Sequence, residues 1–156
     1  MTRVIDASVA AKWLVDEPGS EEAAAILAAD GVLVAPELLV LELASVVWKK
    51  ARRGEITTEH AALAVARAPT LFARLFAVAP LVPDALEIAT ALNHSVYDAL
   101  YLALTRSLSA KLVSDDQGLI ASCQGTPFAA MVTPLRGSSR PRARKGGEVA
   151  RKRRPH

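Results

Sequence analysis

Short apolar runs alternate with helical segments along most of this 156-residue chain. Each run is short and mostly apolar, as expected for strands that are buried on both faces of a sheet. The alternation predicts βαβ units, and therefore an α/β domain whose short, mostly parallel central sheet is covered by helices on both faces. The predicted strands are Arg3–Asp6, Val32–Ala35, Phe76–Pro80, Lys111–Val113 and Ala129–Val132.

The segments between these runs carry helical periodicity and ordinary helix end signals. Half of the residues are hydrophobic but only 4% are aromatic, so the core must be built from Ala, Leu and Val. The predicted helices are Ser8–Val15, Glu21–Ala29, a helix from Pro36 to about Arg53, one capped by Thr57 or Thr58 that continues to about Arg67, Pro69–Leu75, Pro83–Leu92, Val96–Arg106 and Asp116–Cys123.

Four acidic residues lie in apolar surroundings, far apart in the chain: Asp6, Glu42, Asp98 and Asp116. An isolated ionised carboxylate is strongly disfavoured in an apolar interior, so four of them indicate a shared cation. A divalent metal ion with oxygen ligands is the simplest candidate. Asp6 and Asp116 each follow a predicted strand, and sites in parallel sheets form at the carboxyl ends of the strands.

Most of these acids also have an ordinary structural explanation. Asp6 fits a turn or a helix N-cap, and Ser95 with Asp98 fits a capping box. Asp116, or Asp115 beside it, is suited to capping the helix that begins near Gln117. Glu42 is hardest to explain in this way, because it lies in the second turn of its helix on a largely apolar stripe.

Charge divides the chain near Leu135. Residues 1–135 hold 10 Lys/Arg and 15 Asp/Glu, whereas residues 136–156 hold 9 Lys/Arg and the single acid Glu148. The second segment has no apolar periodicity, so we expect a basic C-terminal tail, 136–156, that is disordered in isolation. The single cysteine, Cys123, and the absence of a run of about 18 apolar residues predict a cytoplasmic protein without a membrane segment.

These acidic segments, in their order and spacing, resemble the PIN-domain ribonucleases and in particular the VapC-type toxins of type II toxin–antitoxin modules. The resemblance covers residues 1 to about 133, and its third block is the most specific. The matching blocks are Val4-Ile5-Asp6-Ala7-Ser8-Val9, Pro36-Glu37-Leu38 through Glu42-Leu43-Ala44 to Val47-Trp48-Lys49, Ser95-Val96-Tyr97-Asp98-Ala99-Leu100-Tyr101-Leu102, and Leu112-Val113-Ser114-Asp115-Asp116.

The resemblance implies a PIN-like three-layer α/β/α sandwich over residues 1–135 and a metal-dependent endoribonuclease. It assigns the catalytic acids to Asp6, Glu42, Asp98 and Asp116. Asp6 and Asp98 are the expected direct ligands of Mg²⁺ or Mn²⁺, and Glu42 and Asp116 bind directly or through water. Ser8 and Asp115 are expected to support them. Two departures from the family pattern, Ser114 for threonine and Gly118-Leu119 for a bulkier pair, remove no carboxylate.

An acidic cleft needs positive charge nearby to bind RNA. Five side chains are candidates for such a rim, with a solvated helix end as the alternative for the last four: Lys12, Lys49, Lys50, Arg52 and Arg53. The basic tail is a second candidate, and a solubilising extension is its alternative. We expect no covalent nucleophile at Cys123, and we expect His94 to be an exposed loop residue rather than a catalytic base.

The resemblance also implies partners: an RNA substrate such as tRNA or rRNA, a VapB-type antitoxin that blocks the cleft, and a second copy of the chain in a homodimer. Two other functions remain open at this point. One is a catalytically silent RNA-binding module on the same fold, and the other is an RNA-processing PIN nuclease without an antitoxin. The four retained acids count against the first, because a binding module has no need of them.

Overall fold

A computed structural model describes residues 1–136 as a five-stranded parallel sheet between two layers of helices. Every neighbouring pair of strands is parallel, and the strand order is β3-β2-β1-β4-β5. The predicted α/β/α sandwich is confirmed. The strands are β1 Thr2–Ile5, β2 Val32–Pro36, β3 Arg74–Phe76, β4 Lys111–Ser114 and β5 Val132–Pro134.

Within residues 1–136, seven α-helices cover the sheet. Right-handed crossovers place α1 to α4 on one face, because the chain moves from β1 outward to β3 through them. The chain then returns across the sheet to β4 and β5, which places α5 to α7 on the other face. The helices are α1 Ala7–Leu14, α2 Ser20–Ala28, α3 Leu38–Arg52, α4 Thr58–Arg67, α5 Val82–Leu92, α6 Val96–Ser107 and α7 Gln117–Cys123.

The core is centred on β1, β4 and helix α6. Residues Ala99–Thr105 of α6 are all buried, as the apolar character of this helix predicts. The helix packs on β1, β2 and β4 and lies against α5 along its length. Ala and Leu dominate its buried positions, so backbone and sheet approach closely. Asp98 stands at the N-terminal end of this rigid element, which fixes its position relative to the sheet.

The strands β1 and β4 are neighbours, but the chain leaves them toward opposite faces. From β1 it enters α1 on one face, and from β4 it enters α7 on the other. Such a switch point opens a crevice beyond the carboxyl ends of the two strands. The N–H of Asp6 donates to the carbonyl of Val113 at 3.0 Å, which joins the two strands at the mouth of this crevice.

Three predicted boundaries near the sheet edges are wrong. The strand predicted at Phe76–Pro80 is Arg74–Phe76, and a 3₁₀ turn over Ala79–Leu81 follows it. The helix predicted at Pro69–Leu75 is only a 3₁₀ turn, Ala68–Leu71.

The last strand begins at Val132, not at Ala129, because Pro127–Met131 form another 3₁₀ turn. Strands of three residues at a sheet edge carry too little pattern to locate, and pairing with β2 and β4 sets their register.

The predicted basic tail lies outside the described residues apart from Arg136, so the domain boundary near Leu135 stays a prediction. Leu135 itself is tied to the sheet, since its N–H donates to the carbonyl of Ser114 at 2.8 Å. Across residues 1–136, none of the helices has the length and apolar character needed to span a bilayer.

Candidate active site

Asp6 lies at the carboxyl end of β1 with only 5% of its surface exposed. It precedes the first residue of α1, yet within residues 1–136 its side chain caps no N–H group of that helix. Instead, Oδ2 of Asp6 accepts hydrogen bonds from Ser8 Oγ at 2.7 Å and from Ser114 Oγ at 2.6 Å. The helix-cap explanation therefore fails, and Ser8 is hydrogen-bonded to the first acid, while its supporting role stays a prediction.

Glu42 extends from the second turn of α3 and is half-buried. Its Oε2 atom accepts a hydrogen bond from the hydroxyl of Tyr101, a fully buried residue of α6. Burial is the main cause that raises the pKa of Glu42, to about 7, and the charges of Asp6 and Asp98 add to it, whereas the Tyr101 hydrogen bond opposes it. Glu42 therefore belongs electrostatically to the same cluster as Asp6 and Asp98.

Asp98 is the third residue of α6, and Ser95 is the N-cap of that helix, as predicted. Ser95 Oγ accepts the N–H of Tyr97 at 3.1 Å. The reciprocal half of a capping box is missing in the described residues, because Oδ2 of Asp98 lies 2.9 Å from Nε2 of His94 instead. This frees Asp98 from a capping role.

The prediction of an exposed His94 is wrong. Its side chain is mostly buried, and its Nε2 atom contacts Asp98 without the alignment of a hydrogen bond to any group of residues 1–136. The left-handed backbone of Asn93 at the end of α5, with φ of 49°, turns the chain so that His94 lies against the start of α6. His94 therefore lies in contact with one of the four acids.

Asp116 is the N-cap of α7, and its Oδ1 accepts the N–H of Leu119 at 3.0 Å. Its own N–H donates to Ser114 Oγ at 3.1 Å. A Cβ atom added at Gly118 would lie 3.2 Å from Oδ1 of Asp116 and 3.9 Å from Cε1 of His94. The glycine that departs from the family pattern therefore leaves room beside Asp116.

Asp115 has a different environment from its neighbour. Its side chain is only 4% exposed and pairs with Lys12 at 3.4 Å and with Arg136 at 2.7 Å. Its backbone N–H donates to Ser8 Oγ at 3.0 Å, and Ser8 in turn donates to Asp6. The backbone of Asp115 thus holds Ser8 in place while the charge of its side chain is neutralised, and the choice of Asp116 as the fourth acid stays a prediction.

The four predicted acids form one electrostatic cluster. Burial raises the pKa of Asp6 above its usual range, against the Ser114 and Ser8 hydrogen bonds, and the charges of Asp98 and Asp116 raise it further. Burial and the charge of Asp116 raise the pKa of Asp98, whereas His94 opposes this increase. Asp6 and Asp98 are therefore destabilised as anions partly by their acidic neighbours. Oxygen donors that repel one another in this way match the preference of Mg²⁺ and Mn²⁺ for carboxylate ligands.

The side chains stand apart in this arrangement. Within residues 1–136, no group of three or more His, Cys, Asp or Glu side chains is arranged so that it could hold a metal ion. Each acid is drawn instead toward its own partner: Asp6 to two serines, Glu42 to Tyr101, Asp98 to His94 and Asp116 to a backbone N–H. An ion that takes one or two direct carboxylates and keeps several waters, as Mg²⁺ does, needs no such group of three.

A groove of about 390 Å³ runs beside the acids between α1 and α3. Glu42 and Ser8 lie in its wall, with Lys12, Lys49 and Asp115. A larger hollow of about 650 Å³ adjoins it, with Lys12 lining both. The groove therefore offers space for a polynucleotide next to Glu42, the one of the four predicted acids that lines it.

The five predicted RNA-binding cations differ in their surroundings. Lys12 pairs with Glu17 and Asp115, and Lys50 pairs with Glu17 and Glu55. Arg53 pairs with Glu55 at 2.7 Å, so these three cations are largely neutralised.

The other two cations are exposed and form no ion pair within residues 1–136. Arg52 stacks on the ring of Trp48 with 4.8 Å to its centroid. Lys49 lines the groove, and together with Arg52 and Arg53 it also lines a separate basic hollow of about 250 Å³. Lys49 thus connects the acidic groove to the basic surface at the end of α3.

The structure adds three residues that sequence reasoning did not place at the site. Tyr101 lies one turn after Asp98, a spacing that puts both on one side of α6. Ser114 lies two residues before the fourth acid, where the family pattern has Thr or Ser. Its place at the site could therefore have been predicted from the sequence. His94 lies four residues before Asp98 but outside the helix. The sequence therefore gives no sign that the two side chains are in contact.

Comparison with known proteins agrees with this geometry. The sequence profile of the PIN domain matches residues 3–122. Ribonuclease VapC3 of Pyrobaculum aerophilum is 32% identical over 136 residues, which cover 86% of this chain and 100% of that protein.

Two solved structures share the fold. PAE2754 from Pyrobaculum aerophilum superposes with a TM-score of 0.60 at 22% identity, covering 86% of this chain and 84% of its own. VapC20 of Mycobacterium tuberculosis, described as a Sarcin-Ricin loop cleaving toxin, superposes with a TM-score of 0.62 at 20% identity, covering 76% of this chain and 94% of its own.

The profile match spans all four acids, from Asp6 to Asp116, and most of the chain. The identity to a VapC ribonuclease extends over that protein's whole length. Sequence, fold and the clustering of acids at the switch point therefore lead to the same assignment, and this chain belongs to the PIN-domain family as a VapC-type protein.

Proposed function

We propose that this chain is a metal-dependent endoribonuclease and the toxin of a VapBC-type toxin–antitoxin pair. The observation that carries the proposal is the set of four acids at the switch point, three of which have raised pKa values because burial and mutual repulsion disfavour their charged forms. A bound divalent cation removes that penalty. The name of the related ribonuclease supports RNA as the substrate.

Asp6 and Asp98 are the proposed direct ligands of Mg²⁺ or Mn²⁺, and Glu42 and Asp116 bind directly or through water. Such an ion, when bound, neutralises phosphate charge, lowers the pKa of a bound water and stabilises the leaving oxygen. Ser8 and Ser114 both engage Oδ2 of Asp6 and so fix the direction of its other oxygen. His94 contacts Oδ2 of Asp98 at 2.9 Å without an aligned hydrogen bond, so its effect is on the charge of Asp98 rather than on the direction of its other oxygen.

The protein's own residues orient water and substrate in this proposal, and none attacks the phosphate covalently. Cys123 is buried, and burial raises the pKa of its thiol, which disfavours the nucleophilic thiolate. Glu42 and Asp116 are the groups proposed to hold the attacking water by hydrogen bonds. The reaction is hydrolysis: water adds to phosphorus, the bond from phosphorus to one ribose oxygen breaks, and that oxygen receives a proton.

Contact with RNA beside the groove is proposed to rely on Lys49 and Arg52, which are exposed at the end of α3. The basic hollow beyond the groove suits a backbone phosphate next to the scissile one. Lys12, Lys50 and Arg53 are paired with acids, so their contribution requires exchange of those pairs for phosphate. The tail of residues 136–156 is proposed as a further, sequence-independent contact.

Partner binding is proposed on the basis of the VapC assignment. An apolar groove of about 410 Å³ lies between α3 and α4, and the half-exposed Trp48 forms part of its wall. A helix of a VapB-type antitoxin with an apolar face suits this groove. A homodimer and a cytoplasmic location are carried over from the family resemblance. Structured RNA, tRNA or rRNA, is the proposed substrate class.

The decisive test is cleavage of total RNA by the full chain with Mg²⁺ or Mn²⁺, with and without EDTA, for wild type and for Asp98→Asn. We expect metal-dependent cleavage into discrete fragments that falls at least 100-fold in Asp98→Asn, because the substitution removes the charge but keeps the shape of a proposed metal ligand.

RNA binding without cleavage under any metal, at equal strength in both proteins, would instead identify a silent binding module. The chain would instead be an RNA-processing enzyme without an antitoxin if it cleaves RNA and no small reading frame beside its gene encodes a product that blocks this cleavage.

A further inference from the structure

Tyr101 is a fully buried tyrosine whose single polar atom points at the candidate active site. It lies in α6 one turn after Asp98, and none of its surface is exposed. Its hydroxyl donates a hydrogen bond to Oε2 of Glu42, which lies 59 residues earlier in the chain. Buried tyrosine hydroxyls usually find a partner, and many donate to a backbone carbonyl. Here the partner is one of the four acids.

The donor is fixed far more rigidly than the acceptor. Residues Ala99–Thr105 of α6 are buried on all sides, so the Tyr101 ring cannot change rotamer without disturbing the core. Glu42, in contrast, is half-buried at the wall of an open groove, and its long side chain has several rotamers available. The hydrogen bond from Tyr101 selects one of them.

The phenol is also a suitable donor for a carboxylate that must stay charged. Tyrosine keeps its proton at neutral pH and carries no charge of its own, so it orients Glu42 without neutralising it. A lysine or arginine in this place would neutralise the carboxylate and compete with a metal ion for it, whereas Lys12 and Arg136 pair with Asp115, which is outside the four acids.

We propose that Tyr101 is a positioning residue: its hydroxyl commits Oε2 of Glu42 and leaves Oε1 as the oxygen that faces the cation or a water bound to it. This inference rests on the proposed metal-dependent nuclease. It goes beyond that function by assigning a role to a residue that touches neither substrate nor metal. Partners of metal-ligating groups commonly contribute about 10- to 100-fold to metal affinity or activity.

The first experiment compares Tyr101→Phe with Tyr97→Phe in the full chain. Both remove one hydroxyl from α6, but Tyr97 is 66% exposed and serves as the matched control. We expect Tyr101→Phe to raise the Mn²⁺ dissociation constant about 10-fold by calorimetry and to lower kcat for RNA by a similar factor, with KM within about twofold. Tyr97→Phe should stay within about twofold of wild type in all three quantities.

A double-mutant cycle separates positioning from general damage to the core. If Tyr101 acts through Glu42, then Tyr101→Phe should cause no further loss of Mn²⁺ affinity in a Glu42→Ala background. An equal loss of Mn²⁺ affinity in both backgrounds would overturn the proposal. So would a Tyr101→Phe variant with unchanged Mn²⁺ affinity and kcat, provided that wild type binds Mn²⁺ and cleaves RNA. Failure of wild type itself to bind Mn²⁺ or cleave RNA would refute the proposed function, and the inference with it.

A spectroscopic measurement keeps the inference testable if Tyr101→Phe does not fold. The chain holds only two tyrosines, Tyr97 and Tyr101, so fluorotyrosine labelling gives two ¹⁹F signals that Tyr97→Phe assigns. We expect the Tyr101 signal to shift during a Mg²⁺ titration and the Tyr97 signal to stay in place. No shift of the Tyr101 signal at saturating Mg²⁺, or an equal shift in Glu42→Ala, would overturn the proposal.

Discussion

The acids at the strand ends fall into two groups according to the partners that hold them. Asp6 and Glu42 are held by the neutral hydroxyls of serine and tyrosine, which orient a carboxylate but leave its charge uncompensated. Asp115 is held by Lys12 and Arg136, which neutralise it. At the level of single residues, the chain therefore keeps negative charge available at the crevice and cancels it immediately outside.

Uncompensated charge at Glu42 predicts an unusual pH dependence of stability. The pKa of Glu42 is raised from 4.5 to about 7, so the folded chain binds a proton more tightly than the unfolded chain does. This contribution to stability is fully present below about pH 4.5 and is lost as pH rises through about 7. After discounting for partial exposure, we expect the metal-free protein to be about 1–2 kcal/mol less stable at pH 8 than at pH 5 from this group.

Urea unfolding in EDTA at both pH values measures this difference, with Glu42→Gln as the matched variant. Glu42→Gln cannot ionise, so it should show a smaller loss between pH 5 and pH 8 than wild type. The raised pKa values of Asp6 and Asp98 act in the same direction in both proteins. Excess Mg²⁺ at pH 8 should restore stability to wild type by mass action. A wild-type chain that gains stability from pH 5 to pH 8 in EDTA would contradict the prediction.

At the scale of elements, the start of α4 offers a direct test of how local sequence sets a boundary. Thr57 is the N-cap, and its Oγ1 accepts the N–H of His60 at 3.0 Å, whereas Thr58 is the first helical residue. We expect Thr57→Ala to lower the free energy of unfolding by about 1 kcal/mol because it removes the cap. Thr58→Ala should change it by no more than about 0.5 kcal/mol. Equal effects in urea unfolding would show that the cap is not what begins this helix.

The central elements were predictable from sequence because their patterns are strong. Strands β1 and β4 are buried runs that end at acids, and α6 is a long apolar helix with a serine N-cap. The predicted ends of the edge strands β3 and β5 are two to four residues from the observed ends, because pairing such as that of Val34 with Arg74 sets their position. Hydropathy of the segment alone contains no such information.

The acids of the candidate site could be predicted because each is a charged residue in an otherwise apolar segment. This contrast points to Asp6, Glu42, Asp98 and Asp116, which lie close enough in the structure that, beyond the effect of burial, their charges raise the pKa values of the first three. It did not reveal Tyr101, because an apolar helix gives no sign that one of its tyrosines has a partner 59 residues away. It misplaced His94, because the left-handed turn at Asn93 that directs this residue inward has no strong sequence signal.

At the scale of the whole molecule, charge is separated between body and tail. The body, residues 1–135, carries a net charge of −5, and residues 136–156 carry +8. An acidic body suits metal binding but repels RNA at long range. The attraction needed to recruit a polyanion must therefore come from a small number of exposed cations on the body, from the tail, or from both.

Salt dependence of RNA binding separates these two sources. We expect the tail to supply most of the salt-dependent attraction to RNA. Replacing its Lys and Arg residues from 140 to 154 by Gln should therefore flatten the plot of log K against log salt. The expected change in slope is about 0.7 for each phosphate that the tail no longer neutralises. Lys49→Gln with Arg52→Gln should flatten the plot by about 1.4 if each cation neutralises one phosphate. The same pair should raise KM, because these cations adjoin the groove. The binding measurements use the full chain in EDTA with Asp98→Asn, so that binding is observed without cleavage. An unchanged slope in the tail variant, with a much flatter slope in the Lys49 and Arg52 variant, would assign recruitment of RNA to the body alone.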